Sequence, residues 1–226
     1  MSGRARFAAI AFDLDGTLIH SAPDLHAAAN ELMAALGRAP FSLDQVIGFI
    51  GNGVPVLVER ALQASGGLSE DGLEAEIARF RGFYDAAPAA LTRPYDGAPE
   101  LLRRLAAAGA PIGLCTNKPE APTRAILAAL DLAAPFKVIV GGDTLPVRKP
   151  DPAPLRRCFE RLGAAPAQAL YVGDSETDEA TAAALGAPFA LFTGGYRKKP
   201  VEAFEAAFIF DDFAALEAHV FEKTVD

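Results

Sequence analysis

The sequence predicts an α/β protein built on a parallel sheet, and two observations along the chain point to that class. Short runs of Val, Ile, Leu, Phe and Ala recur, and stretches with helical signals separate them. Runs that are apolar throughout are typical of strands covered on both faces, and strands that alternate with helices form parallel sheets with right-handed crossovers. We therefore expect a doubly wound (Rossmann-like) α/β core.

The elements of this core follow in order from the apolar runs. Five runs are predicted strands, with 207–212 a candidate sixth: 7–14, 111–117, 136–142, 169–175 and 188–194. Between them, helices are predicted at 99–108, 119–130, 152–162 and 177–185. Asp151 is the expected N-cap of the third of these helices, with Pro152 at its first helical position.

A helical segment interrupts this rhythm, because no strand signal occurs between about residues 22 and 90. Apolar residues at helical spacing predict a first helix that Gly37 closes. Ser42 and Gln45 resemble a capping box for a second helix. Two more helices are predicted at 54–64 and 69–87.

These four helices predict a second domain inserted into the first. The core would comprise residues 1–20 and 91–226 and the helical domain residues 21–90, with linkers at 16–21 and 88–94. A chain of 226 residues is long enough for a core with a smaller insert.

Composition narrows the functional classes. Hydrophobic residues make up 51% of the chain, enough for a packed core, and the net charge of −8 argues against a nucleic-acid partner. The first apolar run ends at Asp13, too early for a signal peptide or a membrane span. Cys115 and Cys158 lie among apolar residues and predict buried thiols in a reducing compartment. We therefore expect a cytoplasmic protein with no membrane partner.

Two acids, Asp13 and Asp15, end the first predicted strand. Side chains two residues apart on an extended chain point the same way, and ligands bind at the carboxyl ends of strands in open α/β sheets. Two carboxylates placed there repel each other and resist desolvation. A solvated Asp-Gly turn is the alternative that this motif alone leaves open.

The next two predicted strands end in residues suited to an anion. Thr116, Asn117 and Lys118 open a helix, where a hydroxyl and free backbone N–H groups form an anion site. Lys149 follows the third strand, and Pro150 holds it extended, which aims its ammonium inward. The simpler interpretations are helix capping for the first group and a surface lysine for the second.

Asp174 and Asp178 follow the fourth strand, where a capping box of Ser175 and Asp178 is the simpler interpretation. Taken together, the four strand ends supply the groups that phosphoryl transfer requires. Mg²⁺ prefers carboxylate oxygens, and a transferring phosphoryl group needs a hydroxyl, amides and a lysine around its oxygens. A carboxylate can attack phosphorus, and a second one can act as acid and then as base.

Four motifs in this order, DLDGTL, LCTN, RKPDP and VGDSETD, resemble the signature motifs of the haloacid dehalogenase superfamily of phosphohydrolases. The helical segment is similar to that superfamily's small mobile cap. The stretches SAPDL, GNG, RPYDG and FALFTGGY make the chain most similar to its bacterial phosphoglycolate phosphatases. The resemblance implies a Mg²⁺-dependent phosphomonoester hydrolase that converts 2-phosphoglycolate to glycolate and phosphate through an aspartyl-phosphate.

The resemblance also implies catalytic roles for the motif residues. Asp13 would be the nucleophile. Asp15 would protonate the leaving alcohol and then activate water. Thr116, Lys149 and the backbone of Asn117 would hold the phosphate oxygens.

A metal site and a cap loop are implied in the same way. Asp13, the backbone carbonyl of Asp15 and Asp174 would bind Mg²⁺, while Asp178 would orient Lys149 or metal-bound water, or serve as a ligand as in some relatives. The substrate-reading loop of the cap would be Gly51, Asn52 and Gly53, for which an ordinary helix connection is the simpler interpretation. His20 stands where relatives usually carry an acid, at the expected hinge toward the cap.

The expected partner is a small phosphorylated metabolite, and the chain would act as a monomer or a homodimer. A sugar-phosphate phosphatase or a phosphoglucomutase-like enzyme of the same superfamily is the alternative among enzymes. A phospho-aspartate signalling receiver or a phosphate-binding regulator is the alternative outside them. A receiver carries its acceptor on a middle strand, and the intact set of acids, Thr116 and Lys149 counts against a regulator that does not turn over.

Overall fold

The computed structural model describes residues 5–69, 71–87 and 89–221. These residues form a six-stranded parallel sheet, a two-stranded antiparallel ribbon and nine α-helices. The strands are β1 (Ala9–Phe12), β2 (Ile19–His20), β3 (Arg93–Pro94), β4 (Ile112–Cys115), β5 (Val138–Val140), β6 (Ala169–Gly173), β7 (Phe189–Phe192) and β8 (Phe208–Phe210). The helices are α1 (Ala22–Ala35), α2 (Leu43–Phe49), α3 (Val54–Ala64), α4 (Leu73–Ala86), α5 (Ala98–Ala107), α6 (Glu120–Ala129), α7 (Ala153–Leu162), α8 (Glu176–Leu185) and α9 (Phe213–Val220).

The strand order of the main sheet is β5-β4-β1-β6-β7-β8, which confirms the predicted doubly wound parallel fold and its candidate sixth strand. The chain moves outward from β1 through β4 to β5 and then returns to β6 on the other side of β1. Strand order therefore reverses between β1 and β6. Open α/β sheets bind ligands in the crevice at such a reversal, beyond the carboxyl ends of the strands.

Both faces of the sheet are covered, as the apolar runs predict. Ile10 and Phe12 belong to one buried cluster, whereas Ala9 and Ala11 belong to a second cluster. Neighbouring residues of a strand point to opposite faces, so alternate residues of β1 belong to the two clusters. The first cluster continues into α1–α4, and the second lies under α7 and α8.

The predicted helical segment forms α1–α4, in which α1 packs against α2 and α4, and α3 packs against the same two helices. The predicted capping box begins α2: the Ser42 hydroxyl accepts the Gln45 N–H at 3.3 Å, and the Gln45 side chain accepts the Ser42 N–H at 2.8 Å. The buried Asp24 carboxylate accepts hydrogen bonds from the amides of Leu91 and Thr92. Asp24 thus ties the start of this segment to the chain that returns to the sheet.

Two predicted helix starts are wrong. Helix α7 begins at Ala153 with Pro152 as its N-cap residue, not with Asp151 as the N-cap. Asp151 still accepts the Ala153 N–H at 2.8 Å, so its side chain does the capping from one residue further back. Helix α4 begins at Leu73, directly after Gly72, rather than at residue 69.

The stretches predicted as linkers contain regular structure. Strands β2 and β3 pair antiparallel, with Ile19 opposite Pro94 and His20 opposite Arg93. Pro88, the first residue of the second predicted linker, lies outside the described residues. Among the described helices, none has both the length and the apolar character needed to cross a membrane.

Candidate active site

Three buried carboxylates meet at the point where strand order reverses. Asp13 follows β1, Asp174 follows β6, and Asp178 lies in the first turn of α8. One oxygen from each lies within 4.8 Å of the other two. The structure therefore brings together the acids of the first and fourth motifs.

The Lys149 ammonium is the cation that faces these acids. Its Nζ lies 3.0 Å from Asp13 Oδ1 and 2.7 Å from Asp178 Oδ1, and it donates a hydrogen bond to the Tyr171 hydroxyl at 2.8 Å. Burial opposes the charge of an ammonium, but the two carboxylates outweigh burial and raise the pKa of Lys149. Lys149 is buried, so its simpler interpretation as a surface lysine is wrong.

Asp178 is held from both sides. Its Oδ2 accepts hydrogen bonds from the N–H and the hydroxyl of Ser175, as a capping residue would. Its Oδ1 pairs with Lys149. Burial acts to raise the pKa of Asp178, but Lys149 outweighs burial and lowers it, so the carboxyl is ionised. Helix capping and contact with Lys149 are therefore compatible roles of one side chain.

The surroundings of Asp13 and Asp174 disfavour the charged forms of both carboxyl groups. Burial raises the pKa of Asp13 to about 6, with Lys149 opposing and Asp178 adding to the effect. Asp13 Oδ1 accepts no hydrogen bond from the described residues. Burial, together with Asp178 and Asp13, raises the pKa of Asp174 well above its usual range.

This charge pattern fits a divalent cation. Three buried carboxylates lie within 4.8 Å of one another, and the Lys149 ammonium contacts two of them, Asp13 and Asp178. Hard divalent cations bind to oxygen ligands of this kind. The residues present could therefore hold a metal between Asp13 and Asp174.

Asp174 is fixed by close backbone approach as well as by hydrogen bonds. Its Oδ2 accepts the Tyr196 N–H at 2.6 Å, and its Oδ1 accepts the Thr17 hydroxyl at 2.9 Å. A Cβ on Gly16 would lie 2.4 Å from Asp174 Oδ2, so only glycine, at φ +86°, leaves room for this carboxylate. The glycine of the first motif is thus part of the site.

Tyr196 also connects this site to the start of α1. Its hydroxyl accepts a hydrogen bond from the Ala22 N–H at 3.0 Å and lies 3.0 Å from His20 Nδ1. Burial lowers the pKa of His20. His20 therefore lies in the segment that connects the sheet to the helical segment, as its sequence position predicts. It is not part of the acidic cluster.

Asp15 is not one of the three clustered acids, although it lines the same two openings as Asp13. Its carboxylate pairs with Lys118, whose Nζ lies 3.1 Å from Oδ1 and 3.2 Å from Oδ2. The same ammonium lies 4.9 Å from the centre of the Tyr84 ring on α4. Burial would lower the pKa of Lys118, but Asp15 and Tyr84 outweigh burial and raise it.

The second motif lies beside these acids at the end of β4. The Thr116 hydroxyl accepts the Lys118 N–H at 3.3 Å, so this residue does serve as a local cap. Asn117 Nδ2 donates to the backbone oxygen of Lys149 at 3.0 Å and to that of Gly51 at 3.3 Å. Asn117 therefore joins the sheet to the loop between α2 and α3.

The loop of Gly51, Asn52 and Gly53 lies over the strand ends. Arg60 of α3 holds it by donating to Asn52 Oδ1 at 3.1 Å. Gly53 has φ +84°, and a Cβ there would lie 3.2 Å from Arg148 Nη1 and 3.6 Å from the Asn117 carbonyl oxygen. The positive φ of this residue favours glycine, and the loop lies in contact with the sheet at this point.

Two openings flank the pair Asp13 and Asp15. A cleft of about 450 Å³ includes Asp174 and Asn52 in its lining. A second, small pocket of about 60 Å³ also contains the two acids, and the rest of its lining includes Thr116, Asn117 and Lys118. A ligand in this cleft and pocket would contact all four sequence motifs.

Three residues that contact the site were given no catalytic, binding or metal role from the sequence: Lys118, Tyr171 and Tyr196. Lys118 directly follows the motif LCTN, Tyr171 directly precedes VGDSETD, and Tyr196 ends FALFTGGY. What the sequence does not show is their partners, which are 103, 22 and 22 residues away.

Comparison with known proteins gives the class that this fold and site define. Residues 7–186 match the family model described as haloacid dehalogenase-like hydrolase. The chain therefore belongs to the haloacid dehalogenase-like hydrolases.

Particular relatives narrow the class. The chain is 54% identical to a phosphoglycolate phosphatase of Cereibacter sphaeroides over 85% of its own length and 88% of the relative's. It is 48% identical to one of Rhodospirillum rubrum over 92% and 88%. A crystal structure of a predicted phosphoglycolate phosphatase from Haemophilus somnus superposes with a TM-score of 0.91 at 34% identity, covering 96% of this chain and 99% of the other. The predicted enzyme class, a phosphoric monoester hydrolase, is confirmed.

Proposed function

We propose that the chain is a Mg²⁺-dependent hydrolase of 2-phosphoglycolate that forms an aspartyl-phosphate on Asp13. One observation carries the mechanism: the buried Asp13 carboxylate lies at the point where strand order reverses, with its Oδ1 3.0 Å from the Lys149 ammonium. A carboxylate oxygen in that position is available to attack phosphorus. The substrate is proposed from the relatives named phosphoglycolate phosphatase, the first of them 54% identical.

In the first step, an Asp13 oxygen bonds to phosphorus while the bond from phosphorus to the leaving oxygen breaks. Asp15 donates its proton to that leaving oxygen, which departs as the alcohol of glycolate. Lys149, the Thr116 hydroxyl and the Asn117 N–H hold the phosphoryl oxygens as charge develops on them. Lys149 also offsets the charge of Asp13 during the approach of an anion.

In the second step, Asp15 takes a proton from water as that water attacks phosphorus. The bond between phosphorus and Asp13 breaks, inorganic phosphate leaves, and the Asp13 carboxylate is regenerated. Asp15 thus returns to its protonated form and is ready for the next cycle.

Asp13, Asp174 and the backbone carbonyl of Asp15 would hold the metal. When bound, Mg²⁺ neutralises charge on the phosphoryl oxygens and on the acids around it. Asp178 orients Lys149 through their contact at 2.7 Å. Its place in the acidic cluster also leaves it the role of a ligand.

We further propose that residues 21–90 act as a cap over a core of residues 1–20 and 91–226. The support is the loop of Gly51, Asn52 and Gly53, which reaches from this segment to Asn117 at the strand ends. Closure of such a loop excludes water and lets it contact the leaving group. A cytoplasmic location is proposed from the two free, buried cysteines.

The test is phosphate release from 2-phosphoglycolate beside a panel of sugar phosphates and a nucleotide, with Mg²⁺ and with EDTA. The proposal expects preference for 2-phosphoglycolate and loss of release in EDTA and in Asp13→Asn. Faster turnover of a sugar phosphate would keep the mechanism and change the substrate. Undiminished release by Asp13→Asn would contradict the nucleophile.

A further inference from the structure

We propose that Lys118 binds the carboxylate of the substrate and so selects 2-phosphocarboxylates over other small phosphate esters. The inference rests on the proposed function and deepens it. None of the phosphoryl-transfer steps uses Lys118. It is nevertheless buried, at 9% exposure, beside the residue that would protonate the leaving group.

Position is the first argument. Lys118 Nζ lies 3.1 and 3.2 Å from the two oxygens of Asp15, and Asp15 must reach the leaving oxygen. In 2-phosphoglycolate a single CH₂ separates that oxygen from the carboxylate carbon. The cation that reads so short a leaving group must therefore lie next to Asp15, as Lys118 does.

Unused donor capacity is the second argument. An ammonium has three N–H donors, and the hydrogen bonds of 3.1 and 3.2 Å from Lys118 both go to the Asp15 carboxylate. Lys118 also lines the small pocket that contains Asp13 and Thr116. The Tyr84 hydroxyl is buried beside Lys118 and has no hydrogen-bond partner among the described residues. A substrate carboxylate would supply acceptors for both groups.

Charge balance is the third argument. A substrate carboxylate placed in this pocket would be poorly hydrated unless a cation faced it. Lys149 is already committed to Asp13 and Asp178. Arg60 is bound to the cap loop through Asn52, whereas Lys118 lines the small pocket that also contains Asp13 and Asp15.

Lys198 is the matched control for this inference. Lys198 and Asp174 both line the 450 Å³ cleft, and Lys198 is not part of the lining of the small pocket. Its ammonium forms no ion pair within the described residues. Replacing it removes the same charge from the neighbourhood without changing the contact with Asp15.

The experiment compares 2-phosphoglycolate with 2-hydroxyethyl phosphate, in which CH₂OH replaces the carboxylate. The measured quantity is the ratio of kcat/KM for the two substrates, because loss of Asp15 function alone would lower both values together. We expect Lys118→Met to lower this ratio by about tenfold to a hundredfold, the range for a hydrogen bond to a charged group. Lys118→Arg should lower it less, and Lys198→Met should leave it unchanged.

The outcomes separate the two proposals. Equal loss on both substrates in Lys118→Met would make Lys118 a positioning residue for Asp15 and overturn the inference. A lowered ratio in Lys198→Met but not in Lys118→Met would overturn it as well. A wild type with no preference for 2-phosphoglycolate would instead contradict the proposed substrate, and the inference with it. Thermal unfolding of each variant checks that the fold is retained. Lys118→Arg keeps the charge and is therefore the variant most expected to fold like the wild type.

Discussion

Lys149 shows how a single side chain can be both buried and functional. Its ammonium is 2% exposed, yet it keeps its charge because two carboxylates and a phenol oxygen surround it. Removal of one partner from such a group leaves the rest under-satisfied and less well placed. The Tyr171 hydroxyl donates to the Cys115 carbonyl at 2.9 Å and accepts a hydrogen bond from Lys149, so it helps to hold the ammonium in place.

Tyr171→Phe should therefore lower kcat/KM for the preferred substrate by about tenfold, the effect of one hydrogen bond to a charged group. Stability should fall by only about 1 kcal/mol, because the ring still fills its place. Steady-state kinetics and urea unfolding measure the two effects. Tyr95→Phe removes a hydroxyl that donates to Gly194, outside the acidic cluster, and serves as control. Equal kinetics in both variants would show that Tyr171 is merely structural.

The two cysteines give a prediction about pH. Burial raises the pKa of Cys115 to about 12 and that of Cys158 well above its usual value. At pH 8, which is below both values, the thiols stay protonated, and only a thiolate reacts rapidly. Native protein should not react with Ellman's reagent at pH 8. In protein unfolded in urea, both thiols should react and release the coloured nitrothiobenzoate. Rapid reaction of a thiol in the native protein would contradict their burial.

At the scale of elements, the loop between α2 and α3 joins the helical segment to the sheet. Asn117 holds it through Gly51, and Gly53 passes close to both Arg148 and the Asn117 carbonyl. Gly66, beyond the end of α3, also has a positive φ, but a Cβ there would meet nothing within 4 Å. The two glycines share backbone strain and differ in what lies beside them.

Gly53→Ala and Gly66→Ala should each cost about 1 kcal/mol of stability, because alanine is strained at positive φ. Only Gly53→Ala should also raise KM and lower kcat/KM, since its backbone strain falls on the loop that Asn117 holds at the strand ends. Thermal unfolding and steady-state kinetics on both variants make the comparison. Matching kinetic losses in the two variants would mean that the loop does not contact the substrate.

At the scale of the whole molecule, the net charge of −8 and the cluster of buried acids oppose folding by mutual repulsion, which a bound cation would reduce. A ligand that binds only the folded state stabilises it, by about 2.7 kcal/mol at a concentration a hundred times its Kd. Mg²⁺ should therefore raise the Tm of the wild type by several degrees. Asp174→Asn should lose most of that increase, and Asp151→Asn, outside the cluster, should keep it. Equal increases in all three proteins would place the metal elsewhere.

The sequence reveals most of the fold because the signals that define it are local. The apolar runs predict each strand of the main sheet, and the ends of four of them predict the acids and the lysine of the site. The ribbon of β2 and β3 escapes prediction because strands of two residues show no periodicity. Lys118 and Tyr196 escape as site residues because their partners, Asp15 and His20, lie 103 and 176 residues away. Such contacts form only when the whole sheet has assembled, and no local sequence pattern predicts them.

The attack of Asp13 on phosphorus is tested most directly in an Asp15→Asn variant supplied with p-nitrophenyl phosphate. Nitrophenolate leaves without a proton, so the first step proceeds, whereas the second step lacks its base and phosphoenzyme accumulates. The account predicts a rapid burst of nitrophenolate equal to the enzyme concentration, absent when Asp13→Asn is added. A burst that survives in the double variant, or no burst in Asp15→Asn, would contradict an aspartyl-phosphate on Asp13.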